Sequence, residues 1–406
     1  MRFIFFNFTH YYQILSLKLV RIKPLLIFLL FFWKTFNSYS QESPTPFFLD
    51  EINITTSRFE LSESQVGKSV IKMKAKEIEK NLGSSLAQLL NTKVGLNING
   101  SYGQYGSVLT TNIRGGQNRQ VLVLIDGLPV SDSSQIENNF DLNLIGLEQI
   151  EFIEILKGAS SVLYGSNAST AVINIVTKSD KKEQIRATLT STAGTNNTAN
   201  QSRYELHDFQ NTASVRGLYK RLSYNSSFSH RFSDGLSSIF SLEPVTNFDE
   251  DDYEKTNIYL KLGYAFSKRF SVSTYFNSDR YKTDYDDSFG FADANYQAKS
   301  KQKRVGLSAN LSYKNGSLNL NAALIENQRS YNSSYPAEYR ARALNFDLFN
   351  KLVFRHQWHT IIGLKFGSSE MESYMIPYGA SNLQKDISRE MANDISLDYY
   401  LNLVYT

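Results

Sequence analysis

The chain has 406 residues, with 43 Lys and Arg against 39 Asp and Glu, and no Cys. That length accommodates two domains, the lack of Cys excludes disulfides and thiolate metal sites, and the interspersed charge, net +4, offers no basic stripe for nucleic acid. Aromatic residues reach 13%, with 25 Tyr and 27 Phe, an enrichment expected where rings flank the apolar band of a membrane barrel.

Residues 25–33 (LLIFLLFFW) form an unbroken apolar run, preceded by Lys18, Arg21 and Lys23 and followed by Ser38-Tyr39-Ser40. This is signal-peptide anatomy, short of the ~20 residues of a spanning helix, so residues 1–40 are expected to be removed. The aromatic stretch 1–16 is long for such a peptide and favours a start further downstream. Residues 41–61 form the mature N-terminus. Within it, β-branched Ile52, Ile54, Thr55 and Thr56 favour an extended strand ahead of any core, free to add to the sheet edge of a partner.

Residues 62–180 read as a mixed α/β unit with short elements. Ser85 stands three residues before Gln88, the capping-box spacing, and opens a helix over Leu86, Leu89 and Leu90. Residues 120–125 predict an apolar strand ended by the turn Asp126-Gly127, Ile150, Phe152 and Ile155 a second strand, and residues 171–177 (AVINIVT) a third. The loop 99–107 (NGSYGQYGS) combines adaptable hydrogen bonding with flat rings, which suits a large amide-fringed ligand and not an anion.

From residue 184 to 406 the period changes to two. Ile258, Leu260, Leu262, Tyr264 and Phe266 share one face, against Asn257, Tyr259, Lys261, Gly263 and Ala265 on the other. Residues 270–276, 305–311 and 318–324 repeat the pattern, the last after the hairpin signal Asn315-Gly316. Connections 267–269, 314–317 and 355–357 are short, whereas 279–300, 330–339 and 368–388 are long and polar, the asymmetry of an outer-membrane barrel. Catalysis finds no support: His356 and His359 should point to opposite faces of a strand, and no nucleophile elbow, metalloprotease helix or phosphate loop stands in a suitable context.

Taken in order, residues 50–60 (DEINITTSRFE), 86–98 (LAQLLNTKVGLNI), 113–115 (IRG), 121–127 (VLVLIDG), 156–158 (LKG) and 162–175 (VLYGSNASTAVINI) resemble TonB-dependent receptors, with the cobalamin receptors as the nearest branch. The resemblance spans roughly residues 41–330. It implies a transmembrane β-barrel of about 22 strands with the N-terminal mixed α/β domain as a plug inside it. Only about ten strands fit into residues 184–406, so a truncated product or fragment is expected.

The resemblance also assigns roles. Asp50, Glu51, Ile52, Asn53, Ile54, Thr55 and Thr56 become the box that pairs with TonB, which draws on the inner-membrane proton gradient. Gln104, Tyr105 and Gln117 become substrate contacts, beside the loop 131–139. Acidic loop residues supply oxygen for a hard cation. By the same resemblance Asp249, Asp251, Asp286 and Asp293 become calcium ligands. No covalent cofactor is expected. The implied function is uptake of cobalamin or a related corrinoid through the outer membrane of a Gram-negative bacterium, the barrel embedded in lipid. A siderophore or haem receptor is the alternative, and an outer-membrane barrel enzyme the third reading, opposed by an intact plug and coupling peptide.

Overall fold

The computed structural model describes Arg58 and residues 68–405, apart from residues 136, 181, 196–204, 235–236, 238, 240–248, 288–291 and 355–357. The apolar run 25–33 and the strand-forming stretch 50–56 lie outside the described residues.

The first body of structure comprises β1 (Ser69–Lys74), α1 (Ala75–Glu79), α2 (Leu86–Asn91), β2 (Leu96–Asn99), β3 (Thr110–Ile113), β4 (Val121–Ile125), β5 (Leu128–Val130), β6 (Ile150–Lys157), α3 (Ser161–Tyr164) and β7 (Ala171–Thr177). Five strands make one sheet in the order β1-β6-β7-β4-β5, in which only β4 and β7 run parallel, while β2 and β3 pair separately. The Ser85 hydroxyl accepts from the Gln88 N–H at 3.1 Å, and the Gln88 side-chain oxygen accepts from the Ser85 N–H at 2.9 Å. Two otherwise unpaired donors of α2 are thereby satisfied. The helix can then press Leu86, Leu89 and Leu90 into a core with Met73, Ile98, Ile150 and Ile173. Each such side chain contributes about 1.5–3 kcal/mol on burial. All five residues of β4 are buried, because strands lie on both sides of it and it faces the core on one surface and a smaller cluster on the other. At its end Ile125 pairs with Leu128 across Asp126 (φ +50°) and Gly127 (φ +79°), a two-residue hairpin that needs positive φ at both positions.

The second body is an eleven-stranded antiparallel sheet: β8 (Gln184–Gly194), β9 (Asp208–Tyr219), β10 (Leu222–Ser233), β11 (Tyr253–Ala265), β12 (Phe270–Asp287), β13 (Ala292–Tyr313), β14 (Gly316–Asn332), β15 (Ala337–Phe354), β16 (Trp358–Met375), β17 (Gln384–Ile387) and β18 (Asn393–Tyr405). Each strand pairs with its successor as far as β16, whose far side takes both β17 and β18. The edges are β8 and β18, which do not pair with each other among the described residues, so the sheet is a partial barrel. Among those residues no helix is long and apolar enough to cross a membrane; the crossing elements are strands.

The faces of this sheet invert the rule for a water-soluble protein. Leu260 and Leu262 are each 40% exposed and Val305 45%, whereas inward-facing Asn277, Asp279 and Arg304 are 1%, 0% and 2% exposed. The outward apolar positions from Ile258 to Tyr264 span about 20 Å along the strand. At the short-turn end rings collect, with Tyr264, Phe266 and Phe270 in contact and Trp358 against Tyr405. An apolar band edged by aromatics is what a strand wall presents to lipid.

Two expectations are corrected. The stretches 279–300 and 330–339 are not long loops: β12 and β13 stay paired as far as Asp287 and Ala292, and β14 and β15 are joined by residues 333–336. Beyond the bilayer neither face must be apolar, so the alternation fades while the backbone ladder continues. The hairpin near Asn315-Gly316 is also shifted: Tyr313 pairs with Gly316, leaving Lys314 and Asn315 as the central residues.

Candidate functional site

The polar inner face of the sheet is covered by the globular unit, through hydrogen bonds and ion pairs. The Tyr259 hydroxyl donates to Thr177 at 3.0 Å, Lys261 meets Asp126 at 2.7 Å, Asn257 donates to the Leu144 carbonyl at 2.6 Å and the Tyr281 hydroxyl donates to Asp141 at 2.8 Å. The wall itself is braced by the buried pair Arg304–Asp279. The neutral contacts net only about 0.5–1.5 kcal/mol each and the charged Lys261–Asp126 contact about 1.5–3 kcal/mol, because water satisfies the same groups when they part. The unit is held by their sum together with small apolar contacts such as Leu128 against Tyr259 and Ala323.

Loop 99–107 is docked on this wall. Gln104 donates to the Asp284 carbonyl at 2.8 Å, and the Tyr105 carbonyl accepts from the Thr283 hydroxyl at 2.9 Å. The Tyr105 ring lies 4.1 Å from the Arg231 guanidinium and 5.3 Å from the Tyr253 ring. Gly106, at φ +83°, makes this approach possible, since a Cβ there would sit 2.8 Å from the Thr283 methyl. Of the three expected substrate contacts, then, Gln104 and Tyr105 are engaged with the barrel and only Gln117 is exposed. The loop residue that does present a ring is Tyr102, 71% exposed. The sequence offered two tyrosines in this loop without a sign of which would be covered. Loop 131–139 is docked as well, with Asp132 3.2 Å from Arg329 and the Ser134 carbonyl accepting from the same guanidinium at 2.8 Å.

Sequence reasoning overlooked Arg58. Its guanidinium is 2.6 Å from Asp347 and lies 4.4 Å from the Phe349 ring and 4.8 Å from the Tyr164 ring, with Tyr400 donating to the same Asp347 at 2.8 Å. Asp347, Phe349 and Tyr400 belong to the barrel and Tyr164 to the globular unit, so one side chain clamps the leader to both. Arg58 takes a left-handed backbone, φ +64°, a conformation that tertiary contacts must hold in place. The proposed TonB-pairing residues 50–56 lie outside the described residues, two positions ahead of this clamp.

On the extended hairpins, Asp249, Asp286 and Asp293 bring carboxylate oxygens within 4.8 Å of one another. Asp286 is fixed by the Ala294 N–H at 3.0 Å and the Ser237 hydroxyl at 2.9 Å. The carboxyl of Asp249 is pushed up to about 6, first by its hydrogen bond to Asp293, then by desolvation and the neighbouring carboxylates. Mutual repulsion of this kind is relieved by a hard cation, and the three groups fit part of an oxygen shell. Of the expected four, Asp249, Asp286 and Asp293 are the ones brought together; Asp251 is 2% exposed and lies outside this trio, although its charge also acts on Asp249.

Comparison with known proteins fits this geometry. Residues 62–172 match the TonB-dependent Receptor Plug Domain. The vitamin B12 transporter BtuB of Photobacterium profundum is 26% identical over 281 residues, covering 69% of this chain and 43% of the relative. The ferric enterobactin receptor PirA of Pseudomonas aeruginosa is 34% identical over 140 residues, 32% of this chain and 18% of the relative. A crystal structure of the ferric enterobactin receptor PfeA of Pseudomonas aeruginosa, a double mutant, superposes with a TM-score of 0.60 at 18% identity, over 84% of this chain and 56% of that one. The chain thus spans about half the length of the relatives it resembles, or less. The chain carries a TonB-dependent receptor plug domain seated against part of a strand barrel and is related to the vitamin B12 transporters.

Proposed function

We propose that this receptor imports a cobalamin-like corrinoid across the outer membrane of a Gram-negative bacterium, driven through TonB. The observation that carries the corrinoid over other cargo is the reach of the likeness. The match to the B12 transporter of Photobacterium profundum runs over 281 residues, more than the plug alone, while the B12 transporter of Vibrio cholerae and the ferric enterobactin receptor PirA match over 137 and 140 residues, so likeness of plug length does not separate the two cargoes. Cargo is chosen by barrel hairpins and plug loops together, so a likeness that enters the barrel bears more on it. The three converging aspartates support a calcium ion that would tie the segment before β11 to the β12–β13 hairpin, since Asp249 precedes β11 while Asp286 lies on β12 and Asp293 on β13. Siderophore uptake is the second reading, supported by the 34% identity to PirA over 140 residues, equal to that of the Vibrio cholerae B12 transporter, and by the fold shared with ferric enterobactin receptors.

In this scheme residues 50–56 add as a strand to TonB, and the pull passes first to Arg58. Freeing that side chain from Asp347 and Tyr400 loosens the plug where it touches β15 and β18. The remaining plug contacts combine polar pairs that exchange with water and small apolar contacts such as Leu128 against Tyr259, Tyr275 and Ala323. Uptake of labelled cyanocobalamin by cells carrying the receptor tests this. Ile54→Pro removes a backbone donor and should abolish energised uptake while surface binding persists, and Ile54→Ala, which keeps the donor, should be much milder. Undiminished uptake by the Pro variant would contradict the coupling role.

A further inference from the structure

Just beyond the apolar band, β12 and β13 carry a patch of positive charge on the outer face of the wall. On β13 the outward positions run Leu307, Val305, Lys303, Lys301 and Lys299, and all three lysines are exposed. On β12 the matching positions run Thr274, Phe276, Ser278, Arg280 and Lys282. The register sets Lys301 directly opposite Arg280 and Lys299 directly opposite Lys282. Side chains so placed have Cβ atoms about 4.5–5.5 Å apart, and like charges there oppose sheet formation.

The adjoining wall is an internal control. There Arg342 is 3.6 Å from Glu326, Arg340 2.8 Å from Glu338, and Lys385 3.2 Å from Glu372, so each outward cation has its own carboxylate. In the β12–β13 patch only Lys282 has one, Asp284 at 3.3 Å. No carboxylate among the described residues forms an ion pair with Arg280, Lys299, Lys301 or Lys303. Among the described residues the Lys301–Arg280 repulsion is therefore bridged by no carboxylate, while Lys303 stands opposite Glu326, which pairs with Arg342, and Lys282 opposite Glu254; Lys303 is one outward step from the lipid-facing Val305.

We infer that Arg280, Lys299, Lys301 and Lys303 bind the phosphate headgroups of anionic lipid packed around this wall. The patch begins one outward residue past the apolar band, about 7 Å along the strand, and extends about 13 Å further, which is headgroup depth. Lysine and arginine stems lie along the wall while their charged ends reach outward. Lipid phosphates inserted between opposed cations would convert the repulsive pairs into bridged ones. The inference rests on the strands lying in lipid, and not on the cargo or on TonB.

The test is native mass spectrometry of the full chain purified in zwitterionic detergent, with equal amounts of phosphatidylglycerol and phosphatidylcholine added. Retained phosphatidylglycerol should exceed phosphatidylcholine by about tenfold or more, and high salt should erase the preference. The triple variant Lys299→Gln, Lys301→Gln, Lys303→Gln should lose the preference. Arg340→Gln with Arg342→Gln, on the paired wall, should keep it. In lipid-free detergent the triple variant should melt no lower than the parent, because repulsion has been removed. Equal retention of the two lipids, or an unchanged preference in the triple variant, would overturn the inference. So would displacement of phosphatidylglycerol by excess inorganic phosphate, which would mark a free-anion site. Were the triple variant not to fold, the lipid preference of the parent and its salt dependence would still decide.

Discussion

The plug and the barrel are made of the same residue types arranged by opposite rules. In the plug Leu86, Leu90, Ile150 and Ile173 are fully buried, whereas in the barrel Leu260, Leu262 and Val305 stand 40–45% exposed and Asn277, Asp279 and Arg304 are enclosed. The plug owes its stability to a core shielded from water, and the barrel to its strand ladder and to lipid on its outer face. Their meeting surface belongs to neither regime. It is built from pairs such as Lys261–Asp126 and Tyr259–Thr177, which hold the plug in register yet open to water at little cost. The plug thus has a large apolar interior and a mixed exterior, in which polar pairs are joined by small apolar contacts such as Leu128 against Tyr259 and Ala323.

The comparison can be broken in several places. The largest effect is expected at Leu90→Ala, which opens a cavity in the plug core for a loss of about 2–5 kcal/mol. Hydrogen exchange should rise across α2 and β7 while the barrel ladder stays protected; equal loosening of both would mean that the two share one core. Next, Leu262→Arg places charge on the lipid-facing band and should cost the barrel about 2–4 kcal/mol, read from its unfolding midpoint in lipid. Ser330→Arg, outward but past the band, stands between Glu338 and Lys299, whose opposite effects offset, and should stay within about 0.5 kcal/mol. Similar losses at both sites would dissolve the boundary between band and extension. Third, Arg58→Ala leaves Asp347 without its cation and should speed protease cleavage near residue 58 by roughly tenfold. Unaltered cleavage would deny Arg58 a clamping role. The smallest structural effect belongs to Tyr102→Ala, whose ring touches water and whose loss should move stability by less than about 0.5 kcal/mol. Cargo affinity should nonetheless fall severalfold, and an unchanged affinity would remove Tyr102 from the binding surface.

Much of the plug is legible in the chain because its signals are local. The Ser85–Gln88 capping box and the strand 171–177 need no partner to be recognised, and the alternation over 257–266 reports a wall with two different solvents. Where β12 and β13 leave the bilayer, that contrast vanishes, and 279–300 looks like loop although the ladder continues. Long-range pairing hides the rest. Arg58 meets Asp347 across 289 positions and Asp284 receives Gln104 across 180, so neither contact has a sequence signature. Which of four consecutive acids converges with Asp286 and Asp293 likewise depends on how the chain enters β11, which their spacing does not fix.

The central claim, that the lumen and hairpins receive a corrinoid, is tested most directly by equilibrium binding of purified receptor to cyanocobalamin, with calcium present or chelated, against a ferric catecholate as the competing cargo. Saturable cyanocobalamin binding that weakens when calcium is removed, with no such weakening left after Asp286→Ala and Asp293→Ala, is the predicted result. Tight binding of the ferric chelate, with no measurable affinity for cyanocobalamin at any calcium concentration, would contradict it.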